Sequence, residues 1–226
     1  MLYQFLIVGA FFVLTFFVLG KFVGFLLRFT PVDESTGYLI MSFSLQIVCF
    51  AFLFLLLGGP ANKNTANDNT SGVTTVLDIL QALPQDQKDN VAFVLFDLEE
   101  AGLFGSSSFA YKHKAVKKNT LVINFDCVSD GETILFSLKR STKKYAELLE
   151  RAFVPTTDVA VDITRNAFYP SDNVSFRGGI GVAALKRSKF CGILYMDRIH
   201  TKRDVIYRRE NIRFLTDGAV KLAQLL

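Results

Sequence analysis

A compositional border near residue 58 constrains this 226-residue chain more than any motif does. Ahead of it only Lys21, Arg28, Asp33 and Glu34 carry charge, and 12 of the 23 Phe are gathered there. Residues 2–20 read LYQFLIVGAFFVLTFFVLG, with apolar character continuing to Leu27, and residues 38–59 read YLIMSFSLQIVCFAFLFLLLGG. Each run reaches the ~20 residues that a helix needs to cross ~30 Å of hydrocarbon. A cleaved signal peptide fits the first run poorly. It has no basic opening segment, its apolar stretch is too long, and no small-residue cleavage site succeeds it. The expectation is a transmembrane helical hairpin over 1–58, with spans near 3–27 and 38–58. Lys21 and Arg28 flank the loop between them, whereas the N-terminus has no basic residue. By the positive-inside rule the loop faces the cytoplasm and the rest of the chain lies outside it, a two-pass membrane protein. Phe52–Leu57 also reads as the first strand of the globular body, but its continuity with residues 38–51 favours the bilayer.

Behind the border, 168 residues hold 42 of the 46 charges, the ordinary density of a globular domain. That length supports one sizeable core. The split excludes a disordered chain, a fibre and a multi-span transporter. The net charge of +4 belongs entirely to this body. Its densest basic run, Lys112, His113, Lys114, Lys117 and Lys118, has no interleaved aromatic beyond Tyr111 and reads as a solvated helix end, so no nucleic-acid partner is expected. Cys49, inside the apolar head, Cys127 and Cys191 stand at no metal-ligand spacing; Cys127 and Cys191 could pair only if the fold brings them together, and a buried free thiol is expected for each of these two.

A polar, turn-rich linker (59–72) runs into a body at 73–226. The pattern predicts a helix over Val73–Leu83, stopped by Pro84. VAFVLFD (91–97) and LVINFD (121–126) are continuous apolar runs of strand length, ETILFSL (132–138) alternates, and GVAALKR (181–187) and CGILYMD (191–197) are further strands. Helical spacing covers a stretch near 106–115, then 141–153 and 210–226. Strands interleaved with helices predict an α/β fold, a mostly parallel-centred sheet with flanking helices.

Two of the strand runs end in acid, at Asp97, Glu99 and Glu100 and at Asp126, and a third is succeeded by His200. In an open α/β sheet ligands gather beyond the carboxyl ends of the strands. Parallel neighbours would bring Glu99, Glu100, Asp126 and His200 to one crevice, within reach of Asp68 in the linker. Four carboxylates crowded at low dielectric repel one another unless a cation joins them. Oxygen ligands with one imidazole suit zinc, or less often cobalt or manganese. Taken singly, Asp68 also reads as a helix cap, Glu99 and Glu100 as a solvated pair, and Asp126 as a turn residue.

NDNTSG (67–72), FDLEEAGLFGS (96–106), NFD (124–126), YPSD (169–172) and IHTKRD (199–204), in that order, resemble the zinc metallopeptidase family M28, the aminopeptidase-like family of clan MH. The resemblance covers about 66–226 and implies the phosphorylase/hydrolase-like zinc exopeptidase fold and a peptide substrate. It implies that Asp68 bridges two metals, that Glu100 and His200 complete one site, and that Asp126 belongs to the other. Glu99 would be the general base, with Asp97, Asp172 and Asp204 orienting or capping the ligands. The chain departs from the family in two respects. The H-x-D motif that precedes NDN is absent, its place taken by FLFLLLGGPANKN, and the family's SDH reads SDN with Asn173. One three-ligand set therefore remains, Asp68, Glu100 and His200, which matches a catalytic zinc with an open position. A pseudoenzyme serving as a membrane-tethered binding module is the alternative. Another is a single-zinc glutaminyl cyclase, whose pocket would present Trp, and this chain has none. Loss of a core strand would leave an open sheet edge, at which a homodimer could form.

Overall fold

The computed structural model describes residues 21, 25, 33–58, 62–165, 167 and 169–226, with backbone alone at 34 and 52–58. The chain divides into two units, 1–61 and 62–226. In the first unit, α1 runs over Glu34–Gly58. Asp33 starts it, its carboxylate accepting the Thr36 amide at 3.2 Å and so satisfying one of the first-turn donors. Lys21 and Phe25 are also helical, but the rest of the first expected span, 3–27, lies outside the described residues. Among the described residues no helix is long and apolar enough to cross a membrane, and the side chains described within α1 end at Ala51. The expected hairpin is therefore not shown. Phe52–Leu57 continues α1 and forms no strand.

The second unit is α/β. Its helices are α2 (Gly72–Ala82), α3 (Gln85–Lys88), α4 (Phe104–Lys112), α5 (Lys114–Asn119), α6 (Ala146–Ala152) and α7 (Arg209–Leu225). Its strands are β1 (Leu121–Phe125), β2 (Thr133–Ser137), β3 (Ala160–Thr164), β4 (Gly178–Arg187) and β5 (Leu194–Tyr195). The sheet order is β1-β4-β2-β3, with β5 on the far end of β4. β1 and β4 are parallel, as are β2 and β3, and the two pairs join through antiparallel β2 and β4. Of the strands foreseen, β1 and β4 pair in parallel, whereas β2 and β5 both run antiparallel to β4.

All five residues of β2 are buried, so the strand is covered on both faces. Ile134 and Phe136 join Ile180, Val182 and Ala184 of β4 on one face, beneath Ile79 of α2, Leu149 of α6 and Ile212, Leu215 and Leu222 of α7. Leu135 meets Ala183 and Leu185 on the other, under Tyr169, Leu194 and Met196. Phe136 and Phe153 anchor the first face, with ring centroids 4.6 Å apart.

VAFVLFD is in no strand and pairs with none among the described residues, and its Val94 and Leu95 are exposed. An apolar run supplies side chains for a strand, yet a ladder also needs a neighbour in hydrogen-bonding register. CGILYMD contributes only Leu194–Tyr195, because Gly192, at φ +70, turns the chain back toward β4. Cys191 is exposed, whereas Cys127 is buried, and among the described residues all cysteines are free. β3 was not foreseen.

Candidate metal centre

The NDNTSG segment forms an irregular turn, Ala66–Ser71, that leads into α2 and is non-helical at Asp68 and Asn69. Its polar side chains bolt it to the loop after β1. Asn67 Oδ1 accepts the Ser129 and Asp130 amides at 2.7 and 2.9 Å, and Ser71 Oγ accepts the Val128 amide at 2.9 Å while donating to the Asn67 carbonyl. Asn69 Oδ1 accepts the amides of Gly72 and Cys127. A Cβ on Gly72 would lie 2.2 Å from the Phe125 carbonyl oxygen, so only glycine lets α2 start this close to β1. Asp204 grips the other side, its two carboxylate oxygens accepting the amides of Asn67 and Asp68 at 2.7 and 3.0 Å.

Asp68, so held, meets two residues from other loops. His200 Nε2 lies 2.8 Å from Asp68 Oδ2 and 2.7 Å from Glu100 Oε1. These three offer ligand atoms within 4.8 Å of one another. A second group of the same compactness contains Asp68, Asp126 and Cys127. Asp68 is common to both. Glu99 is half-buried, its carbonyl accepting the Gly102 and Leu103 amides in a tight loop with Leu98, Gly102 and Leu103 at positive φ.

Burial pushes the Glu99 carboxyl up to about 7, with Asp126, Glu100, Asp172 and Asp68 adding repulsion. Asp68 is raised by burial and then by Asp126 and Glu100. For His200, burial lowers the pKa, but Glu100 and Asp68 outweigh it and the net shift is upward. Cys127 is held protonated, first by burial and then by the charges of Asp126 and Asp68. The crowded carboxylates thus favour positive charge at the point where His200 stands.

Zinc fits these residues, on an observation internal to the site. Nε2 can carry one hydrogen, yet two carboxylate oxygens stand within 2.8 Å of it, so one N–H cannot serve both well. A cation among two oxygens and one imidazole nitrogen satisfies all three donors at once, the set a catalytic zinc site uses.

Other residues singled out in the sequence fall at varied distances from this point. Asp126 directly follows β1, and the Tyr169 hydroxyl reaches its carbonyl and carboxylate oxygens at 3.2 and 3.3 Å. Asp172 is buried and raised, chiefly by burial, and its Oδ1 has no hydrogen-bond partner among the described residues. Asp97 is exposed and caps its own loop through the Leu98 amide at 2.7 Å, without touching the Asp68 set. His113 is exposed, its ring tilted against Phe109 with centroids 4.4 Å apart. Sequence reasoning passed over Cys127, because nothing in its spacing shows that a φ of +55 turns its thiol onto Asp126, 3.4 Å away. It also passed over Asn67 and Asp130, which carry no metal-site signature.

The model of peptidase family M28 matches residues 53–216, most of the chain. The chain belongs to peptidase family M28. The match starts inside α1, upstream of the first motif that resembles the family in sequence. Two solved structures of LapA from Legionella pneumophila, one described as an aminopeptidase, share the fold. Each is 19% identical with a TM-score of 0.51, and they cover 70% and 73% of this chain. This M28 chain spans about half of their length, 46% and 49%.

Proposed function

We propose that this chain is a membrane-anchored, zinc-dependent hydrolase of the M28 type that removes N-terminal residues from peptides. The observation that carries the reading is the convergence of Asp68, Glu100 and His200 beside a half-buried Glu99 raised to about 7. Asp68, Glu100 and His200 would hold the ion. When bound, zinc supplies a Lewis acid that activates water and polarises the scissile carbonyl. Glu99 takes the proton of the attacking water and returns it to the leaving amine, work suited to a half-buried carboxylate next to the ligand Glu100. Asp204 keeps Asp68 in place through the two turn amides. Tyr169 orients Asp126, and the buried Asp172 adds to the negative field that holds Glu99 ready to accept a proton. The apolar runs of 2–27 and 38–59 support anchoring, and alkaline extraction of a membrane fraction tests it.

Zinc per chain and turnover of aminoacyl-anilides, with Glu99→Gln as control, test the activity. The expected result is one tightly held zinc and hydrolysis that Glu99→Gln abolishes. Zinc bound without Glu99-dependent turnover would sink the enzyme reading. A binding module is the competing reading, favoured by the absence of histidine from the group of Asp68, Asp126 and Cys127. It calls for no tight zinc.

A further inference from the structure

We infer that Asp130 is a positioning residue of this centre, tying together the two loops that carry Asp68 and His200 and so setting the affinity for the ion. The inference rests on the zinc reading above. Asp130 is in neither ligand group. Its carboxylate, only 8% exposed, takes Arg198 Nη1 at 2.8 and 3.1 Å and Lys186 Nζ at 3.2 Å. A buried carboxylate persists as an ion only where it is paired in this way. Arg198 stands two residues before His200, and its carbonyl accepts the Thr201 hydroxyl at 2.6 Å, closing a turn around the histidine. Lys186 reaches on from β4 to Asp197 at 2.5 Å, and the Arg203 guanidinium donates to the Asp197 carbonyl at 2.8 Å. On its other side, the Asp130 amide donates to Asn67 Oδ1 at 2.9 Å, one residue before Asp68. One residue thus holds the His200 loop by its side chain and the Asp68 turn by its backbone.

The loop past His200 is also tied by Asn62 and Asn64, which donate to the Thr201 and Lys202 carbonyls. On the side before His200 the clamp matters because the ring itself has little else to fix it. Its side chain is 60% exposed, so no packed wall orients the ring. Its φ of +59 lies in the left-handed region, which a non-glycine residue keeps only where its surroundings impose it. Asp204 secures the far end of the loop against the Asp68 turn, and the Asp130–Arg198 pair secures the near end. Groups of this kind, outside the ligand set, typically change metal affinity by about 10–100-fold when removed.

The test is the zinc Kd of the full chain, measured by competition with a chromophoric chelator, for Asp130→Asn and Arg198→Met. Both are expected to bind at least about 10-fold more weakly than the parent. Arg198→Lys is expected to recover part of the loss. Arg187→Met, which removes a guanidinium paired with Asp162 instead, is expected to change nothing. The melting temperature of the zinc-free protein separates positioning from bulk stability. Arg198→Met should leave it near the parent value while weakening zinc. Unchanged affinity in both variants, or a fall in melting temperature with zinc affinity intact, overturns the assignment. A parent protein without zinc would instead sink the proposed function, and this inference with it.

Discussion

Glu99 and its neighbours give the centre a pH signature that needs no substrate. Without metal, burial and the surrounding carboxylates raise Glu99 from 4.5 to about 7, and Asp68 and Asp172 move in the same direction. The folded, metal-free protein then binds more protons than the unfolded chain between pH 4.5 and about 7. Stability must fall as pH rises through that window, and the upward shift of His200 extends the fall beyond its ordinary 6.5. On the zinc reading proposed above, the ion would take the place of those protons as counter-charge. Melting scans of chelated protein at about pH 5 and about pH 7.5 should show the lower midpoint at the higher pH, and zinc should remove the difference. A midpoint that rises with pH in the chelated protein would contradict this electrostatic account. Ser71 makes a different kind of contribution. It is fully buried and its hydroxyl serves both the Asn67 carbonyl and the Val128 amide. Ser71→Ala should cost about 1–3 kcal/mol in denaturant unfolding, because the Val128 amide is left without an acceptor.

At the scale of elements, β2 and β4 form the centre on which the helices rest. Phe153, just past α6, is packed against Phe136 of β2 and is 1% exposed. Phe153→Ala should destabilise by about 3–5 kcal/mol, read as a shift in urea midpoint at constant slope. The segment 91–97 is expected to behave in the opposite way. Among the described residues Ala92–Phe96 form no backbone hydrogen bonds, and Val94 and Leu95 are exposed. Hydrogen exchange at 92–96 should be fast, while Ile134–Phe136 and Ile180–Ala184 are protected toward the global limit. Slow exchange at 92–96 would show that the segment is laddered in solution. The contrast marks how far the fold was legible in the chain. The apolar runs at 121–126 and 181–187 became strands because β4 lies beside β1 and β2 and satisfies both. The equally apolar run at 91–97 has no partner in register among the described residues. β3 escaped notice because Asp162 interrupts its apolar pattern, and only the parallel pairing with β2 makes that stretch a strand.

For the whole molecule, zinc should act as a folding ligand. At a free concentration about 100 times its Kd it adds about 2.7 kcal/mol to the stability of the 62–226 unit, provided that the unfolded chain does not bind it. The melting midpoint should therefore climb with zinc concentration, and His200→Ala should flatten that response. A response that survives His200→Ala would place the ion elsewhere.

Sequence alone determined which residues have the chemistry for the site. Asp68, Glu99, Glu100, Asp126 and His200 stand in ordered, recognisable segments, and the border at 58 separates an apolar head from a charged body. Those are local properties, because residue type and near-neighbour spacing are written in the chain itself. Only the tertiary structure decided which of these residues meet. Glu100 and His200 are far apart in the chain, yet they share one point with Asp68 because three loops converge there. The same folding put Cys127 beside Asp126 and made Asp130 the link between two loops. Contacts of that range depend on loop conformation, on positive φ at His200 and Cys127, and on buried charges finding partners. None of these leaves a periodic trace in the sequence.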